Sequence, residues 1–230
     1  MADHYNPQSC VNLGGATVLK IHHLNQSRSE RIVWLAEELG LDYELVKHKR
    51  DPQTFRSPPS LHAVGPLGKA PVVEDNGKTI FESGAVIEYL VDQYGQGRLR
   101  PAAGTPEMLR YQHWMHCAES TLATPVMVDF VTRMAQAKNA VVDSFVQSEY
   151  KTIFSYLNEQ LGAGGYVAGP QFTAADPMVA YPLWLIDGTI LKESGFAQPA
   201  LLADYPNIVG YLARLQQRPA HLRALVKMGD

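Results

Sequence analysis

"GKAPVVEDNGKTIFESGAVIEYL", from Gly68 to Leu90, is the stretch on which the fold is decided. Asn76-Gly77 sits between two short apolar runs, "APVVED" and "KTIF". A two-residue turn of the hairpin type needs positive φ at both central residues, and Asn-Gly supplies it, so a β-hairpin is expected. Pro71 heads the first run. Proline has no N–H and is confined to strand starts, edges and bulges. Two readings are open there. One is an ordinary edge strand. The other is a cis Ala70-Pro71 bond that turns the backbone groups of Val72 outward, free to pair with an extended ligand. Glu82 and Ser83 then open a helix over Gly84 to Tyr94, with Val86, Ile87, Leu90 and Val91 on one side. The unpaired N–H groups of a helix start favour a carboxylate; a plain N-cap serine is the other reading.

Upstream, "TVLKIHHL" (Thr17 to Leu24) reads as a strand. Ile32, Leu35, Ala36 and Leu39 then mark a helix that stops at Gly40. Ser27 and Glu30 have capping-box spacing, which starts this helix near Ser27. "YELVKH" (Tyr43 to His48) is a second strand, and the Pro-rich stretch after it holds a helical turn near Ser60 to Val64. Downstream, "YGQGRLRPAAGTP" is a linker by composition. Helical patterns follow it. Thr105-Pro106-Glu107 caps a long helix running to about Ala137, bent near Pro125. Further helices span Val141 to Leu161, a segment opened by the Thr173 to Asp176 cap, Tyr205 to Gln217, and Ala220 to Lys227. The organisation is an α/β domain over 16–97 and an all-α domain over 105–230.

The chain has 230 residues, 46% hydrophobic, enough for two small cores, and a net charge of -3. That balance excludes the basic field of a nucleic-acid binder. Cys10 and Cys117 form no CxxC pair and point to a reducing compartment. No stretch approaches the roughly 20 apolar residues of a membrane span, and the expectation is a cytoplasmic protein with residues 1–15 as an extension. His22-His23 and His113/His116 lack a third partner at metal-ligand spacing, so no metal is expected.

"PLGKAPVV" (Pro66 to Val73), "FESGAVIEYL" (Phe81 to Leu90), "LNQSRSERIVWLAEELG" (Leu24 to Gly40) and "FTAADPMVAYPL" (Phe172 to Leu183) together resemble the cytosolic glutathione transferase superfamily. The "SRSERI" form is most similar to its bacterial and fungal members. The resemblance implies a thioredoxin-like N-terminal domain plus an all-α C-terminal domain. It implies glutathione as co-substrate, with Pro71 as a cis-proline, Val72 pairing its backbone with the cysteinyl part, Glu82 and Ser83 on the γ-glutamyl ammonium and carboxylate, Lys69 on the glycyl carboxylate, and Ala70 among the glutathione-binding residues. A histidine often precedes "PLGK" in related sequences; here it is Gly65. The implied reaction is conjugation of glutathione to hydrophobic electrophiles, extending to reduction of organic hydroperoxides, in a homodimer that packs the α/β domain of one chain on the helical domain of the other.

The thiolate is the nucleophile, and a hydroxyl donor at a helix start lowers a thiol's pKa. Ser27 is the candidate for that donor, with Gln26, Asn25 and Ser29 as alternatives; Arg28 reads more simply as a solvent-facing arginine. The second substrate is expected against Tyr111, Trp114, Met115 and Ser120, although their helical spacing equally fits a core face. Trp184 is a further contributor. Cys117 reads as a buried small apolar group. Two other functions use the same fold: a glutathione-dependent thiol oxidoreductase, which the absence of cysteine from Leu24 to Glu30 disfavours, and a non-catalytic scaffold.

Overall fold

The hairpin forms where Asn-Gly predicts it. In the computed structural model, which describes residues 18–162, 164–191 and 196–229, Asn76 and Gly77 take φ of 48° and 75°. Cys10 and the N-terminal extension lie outside the described residues. The turn joins β3 (Val72–Asp75) to β4 (Lys78–Phe81), antiparallel with Asp75 opposite Lys78. β1 (Lys20–Leu24) pairs antiparallel on the other side of β3, and β2 (Glu44–His48) runs parallel to β1, giving the order β2-β1-β3-β4. A parallel pair needs a crossover, and α1 (Glu30–Leu39) provides it. α2 (Pro59–His62) is the turn expected in the Pro-rich stretch, and α3 (Ser83–Tyr94) packs beside α1. This is the thioredoxin-like domain.

α1 begins later than the capping-box spacing places it. Ser29, not Ser27, flanks the helix, and its side chain caps no N–H. The Ser27 carbonyl accepts the Glu30 N–H at 3.1 Å, and Ser27 Oγ accepts the Ser29 N–H at 3.2 Å. A tight turn between the two serines thus replaces the Ser27/Glu30 box.

The rest of the described chain is helical. Thr105 caps α4 (Pro106–Cys117) by accepting the Met108 N–H. α5 (Ala123–Met134) follows after one π-helical turn, Ala118–Leu122. The interruption therefore precedes Pro125 rather than falling on it. Pro125 has no N–H to offer the carbonyl four residues back. The wider turn ahead of it bonds the Ala123 N–H to the Ala118 carbonyl, five residues back. α6 (Ala140–Leu161) is capped by Asn139 Oδ1, which accepts from Val141 and Val142. α7 (Ala175–Asp187) is buried from Ala175 through Ile186, as a helix apolar on every side must be, with Asp176 its one buried charged group. α8 (Pro206–Gln216) and α9 (Pro219–Met228) complete the set.

α9 returns to pack on α1. That contact explains why α1 is buried nearly all round, and not only on its predicted apolar stripe. Trp34 lies 4.9–5.5 Å from the rings of Phe172, Trp184 and His221. Glu37 takes Arg223 at 3.0 Å and Lys227 at 2.7 Å. Glu38 is held at both oxygens by Arg218, at 2.6 and 2.8 Å, while that guanidinium sits 3.7 Å from the Phe172 ring centroid. One buried apolar cluster runs from Leu19 to Met228 across both halves. Because Glu38 is almost buried and Arg218 only partly so, Arg218→Ala should cost about 1–2 kcal/mol in urea unfolding. A Glu38→Gln background should absorb most of that loss.

Candidate functional site

The loop between β1 and α1 is pinned from below by Arg50. Its guanidinium donates to the carbonyls of Asn25 (3.1 Å), Gln26 (3.0 Å) and Phe55 (3.1 Å) and lies 4.6 Å over the Phe55 ring. Asn25 Oδ1 accepts the Arg50 N–H at 3.1 Å. Gln26 has a φ of 53°. Ser29 is wholly buried, and its Oγ meets the Leu24 N–H, His23 Nδ1 and Ser27 Oγ at 3.0, 3.0 and 2.8 Å. Of the four candidate donors, Ser27 lines a cavity, Asn25 is engaged by Arg50, and Ser29 lies behind Ser27.

That cavity, about 490 Å³, is walled by Leu24, Phe55, Lys69 and Tyr181 among others. A second, of about 230 Å³, carries Glu82 and Ser83. Arg28, Leu67, Lys69 and Ala70 line both, so the two are halves of one cleft. The Ala70-Pro71 bond between the halves is cis. Ser83 is the first residue of α3 and not its N-cap; its Oγ is buried with no hydrogen-bond partner. Glu82 precedes it at a φ of 71° and caps nothing with its side chain.

Val72 departs from expectation. It lies opposite His22 on one side and Phe81 on the other. Its backbone is therefore inside the sheet, not on an edge facing a ligand, and its side chain packs with Leu24 and Leu61. Ala70, outside the ladders and next to the cis bond, lines both halves of the cleft. Gly65 lines it too; a Cβ there would stand 2.7 Å from Val72 Cγ2, so a side chain requires Val72 to move.

The helical half supplies residues that sequence reasoning passed over. Glu119, in the π-helical turn, accepts from Arg28 Nε at 2.9 Å, and its other oxygen pairs with the buried Arg31. Against burial, which opposes ionisation, Arg31 and Arg28 hold the Glu119 carboxyl below its ordinary range. Arg31 lies 4.8 Å and Arg28 5.9 Å from the Tyr181 ring centroid. Burial keeps the Tyr181 phenol above its ordinary pKa, hence protonated. Arg28 is thus a bridge to the helical half rather than a solvent-facing residue. Tyr181 lies within the stretch Phe172 to Leu183 that carries the family resemblance; Glu119 carried no such signal.

The residues expected around the second substrate are elsewhere. Tyr111 and Trp114 are core side chains, 0% and 2% exposed, and the Tyr111 hydroxyl donates to Glu88 at 2.8 Å. Met115 borders a cavity of about 530 Å³ between α3 and α4, which adjoins the Ser83 half of the cleft through Glu82 and Glu119. Ser120 is exposed and donates to the His116 carbonyl at 2.9 Å. None of the four lines the cleft that Ser27 lines. Trp184 is likewise core, against Trp34 and His221. Cys117 is half-buried rather than buried, with Thr121 Oγ1 at 3.7 Å from its sulfur. Among the described residues no group of three His, Cys, Asp or Glu side chains could hold a metal, and no helix is long and apolar enough to cross a membrane.

The family profile of the glutathione S-transferase N-terminal domain matches residues 16–92, and that of the C-terminal domain matches 129–214. The chain belongs to the glutathione S-transferase family. Glutathione S-transferase 3 of Schizosaccharomyces pombe is 32% identical over 93% of this chain and 89% of its own length. Glutathione S-transferase 1 of Saccharomyces cerevisiae is 24% identical over 89% of this chain and 92% of its own. Among solved structures, a glutathione S-transferase from Actinobacillus pleuropneumoniae superposes with a TM-score of 0.77 at 32% identity, covering 92% of this chain and 93% of that one. Family membership agrees with the sheet order, the cis bond beside the cleft and the helical second half.

Proposed function

We propose that this transferase binds glutathione along the cleft and activates its thiol at Ser27. The observation that carries the reading is the pairing of two hydroxyls in the two halves of one cleft, the buried Ser83 Oγ without a partner and the Ser27 Oγ, with Ala70 between them. The unmet donor of Ser83 suits the γ-glutamyl carboxylate, and Glu82 the ammonium beside it. Lys69 suits the glycyl carboxylate. Ala70 offers backbone groups to the cysteinyl residue, whose sulfur then lies toward Ser27. Solved transferases of the same fold, such as that of a sphingomonad, were obtained with glutathione bound.

Ser27 O–H donates to the sulfur and stabilises the thiolate; the thiol proton passes to solvent. The thiolate then attacks an electrophilic carbon. A C–S bond forms and the leaving group departs with its bonding pair. Leu24, Phe55, Leu67 and Tyr181 give this half an apolar wall for a hydrophobic electrophile. An organic hydroperoxide is a second acceptor on the same reading. The working form is a cytoplasmic homodimer built from domains over 16–97 and 105–230.

Titration calorimetry with reduced glutathione tests the proposal. The parent should bind, and Ser83→Ala should bind about 10-fold more weakly, the worth of one hydrogen bond to a charged group. A parent that takes up no glutathione would leave the scaffold reading standing instead.

A further inference from the structure

Behind Ser27 lies a chain of hydrogen bonds whose direction decides whether Ser27 has a proton to give. Ser29 Oγ stands between Ser27 Oγ at 2.8 Å and His23 Nδ1 at 3.0 Å, and it also accepts the Leu24 N–H at 3.0 Å. All three side chains are buried. A serine hydroxyl has one proton and two lone pairs, and two arrangements make every link of the Ser27–Ser29–His23 chain a hydrogen bond.

In the first, His23 carries a proton on Nδ1 and donates it to Ser29 Oγ. Both lone pairs of Ser29 are then taken, by Leu24 N–H and by His23. Its own proton goes to Ser27 Oγ, the nearest acceptor; the Leu24 carbonyl is farther, at 3.3 Å. Ser27 Oγ also accepts the Ser29 N–H at 3.2 Å. With both of its lone pairs filled from inside, Ser27 must direct its proton outward, into the cleft it lines. In the second arrangement His23 Nδ1 accepts. Ser29 gives its proton to the imidazole, Ser27 donates inward to Ser29, and nothing is left for a ligand.

We infer that His23 is a positioning residue: by presenting Nδ1–H to Ser29 Oγ it orients the Ser29 hydroxyl toward Ser27, and so turns the Ser27 proton toward the glutathione sulfur. This rests on the proposed thiol activation and deepens it. The imidazole touches no substrate. It works through two intervening hydroxyls, each link within hydrogen-bond distance. Ser29 acquires a role that its burial otherwise conceals, as the relay between an imidazole beneath the sheet's end and a hydroxyl at the cleft surface.

The test is the ultraviolet thiolate absorbance of bound glutathione against pH, with S-methylglutathione binding measured in parallel as a probe of cleft integrity that lacks the thiol. The variants are Ser27→Ala, His23→Leu, His23→Asn and His23→Gln. Asparagine can place an amide N–H where Nδ1–H was; glutamine cannot. His23→Leu and His23→Gln should raise the bound thiol's pKa by about one unit, with S-methylglutathione affinity within about 2-fold of the parent, and His23→Asn should keep the parent value. Glutamine preserves polarity and bulk, so it decides the matter should leucine fail to fold. A thiol pKa that stays put in His23→Gln while Ser27→Ala moves it overturns the inference and leaves the function standing. A pKa that falls in His23→Leu overturns it too, because it means that Nδ1 was accepting. A parent with no depressed thiol pKa sinks the function itself.

Discussion

Ser27→Ala raises the pKa of the bound glutathione thiol by about 1–2 units. A hydrogen bond to a charged group is worth about 1.5–3 kcal/mol, and one pKa unit is about 1.4 kcal/mol. At a pH below both thiol pKa values the thiolate fraction therefore drops about 10–100-fold, and by less near neutral pH where the parent is already partly ionised. Turnover falls less. A thiolate of higher pKa is intrinsically more nucleophilic, with a Brønsted slope of about 0.4–0.5, which returns about half of the loss on a logarithmic scale. The expected deficit in kcat below both thiol pKa values is roughly 3–10-fold. Its pH dependence is the stronger signature. Above both thiol pKa values the thiolate is fully formed in either protein, and the variant should equal or exceed the parent. A deficit that is constant with pH would mean that Ser27 positions the substrate instead. The measurement is a pH–rate profile with an activated aryl halide, alongside the thiolate titration.

Asp176→Ala should be among the most damaging single changes to stability. The Asp176 carboxylate, in the first turn of α7, accepts the Thr173 N–H at 2.7 Å, the Thr173 hydroxyl at 3.1 Å, the Val167 N–H at 3.1 Å and the Tyr211 hydroxyl at 3.0 Å. It ties the loop before α7, and α8, to the helix at the centre of the core. Removing it strands several buried donors, at about 3–5 kcal/mol in urea unfolding. Asp176→Asn retains an acceptor oxygen and should cost less. The pH dependence separates the two effects. Burial, outweighing the four donors, pushes the Asp176 carboxyl from 3.8 up to about 6. Between those values the folded state holds more proton than the unfolded one, so this group's contribution to stability falls as pH rises through the window and is flat above it. Subtracting the Asn variant's stability curve from the parent's should reveal that slope. A difference that is level from pH 3.8 to 6 would mean that the carboxyl titrates normally.

The parts of this fold that were legible in the sequence are those in which neighbours in the chain determine the outcome. Asn76-Gly77 specifies its turn by φ alone, and Thr105-Pro106 specifies a helix start by which N–H groups need partners. The apolar periodicity of α3 sufficed because its other side stays open. α1 was half legible: Ile32, Leu35 and Leu39 announce one buried face, whereas the partners of Glu37 and Glu38, which are Arg223, Lys227 and Arg218, come from the far end of the chain. In the cleft, Lys69, Glu82 and Ser83 were found because they cluster in one short segment. Glu119 and Tyr181 were not, since their relation to Ser27 exists only across the two halves. Tyr111 and Trp114 misled because an apolar helical stripe looks the same whether it faces a ligand or a core. Val72 misled because a proline-headed strand reads as an edge, and β4 covers the side left open.

The closure of α9 on α1 has a consequence in time as well as in space. Glu38 waits for Arg218, which lies 180 residues later in the chain. At about 5–20 residues per second of synthesis, that is roughly 10–40 s on the ribosome. The sheet is complete once Phe81 is made, and from then until Phe172, Trp184 and His221 arrive Trp34 and its neighbours stand exposed to solvent. The nascent amino-terminal half is therefore a natural client for a holding chaperone. Synonymous codon changes that slow translation between the two helices should lower the soluble yield without altering a single contact of the finished protein.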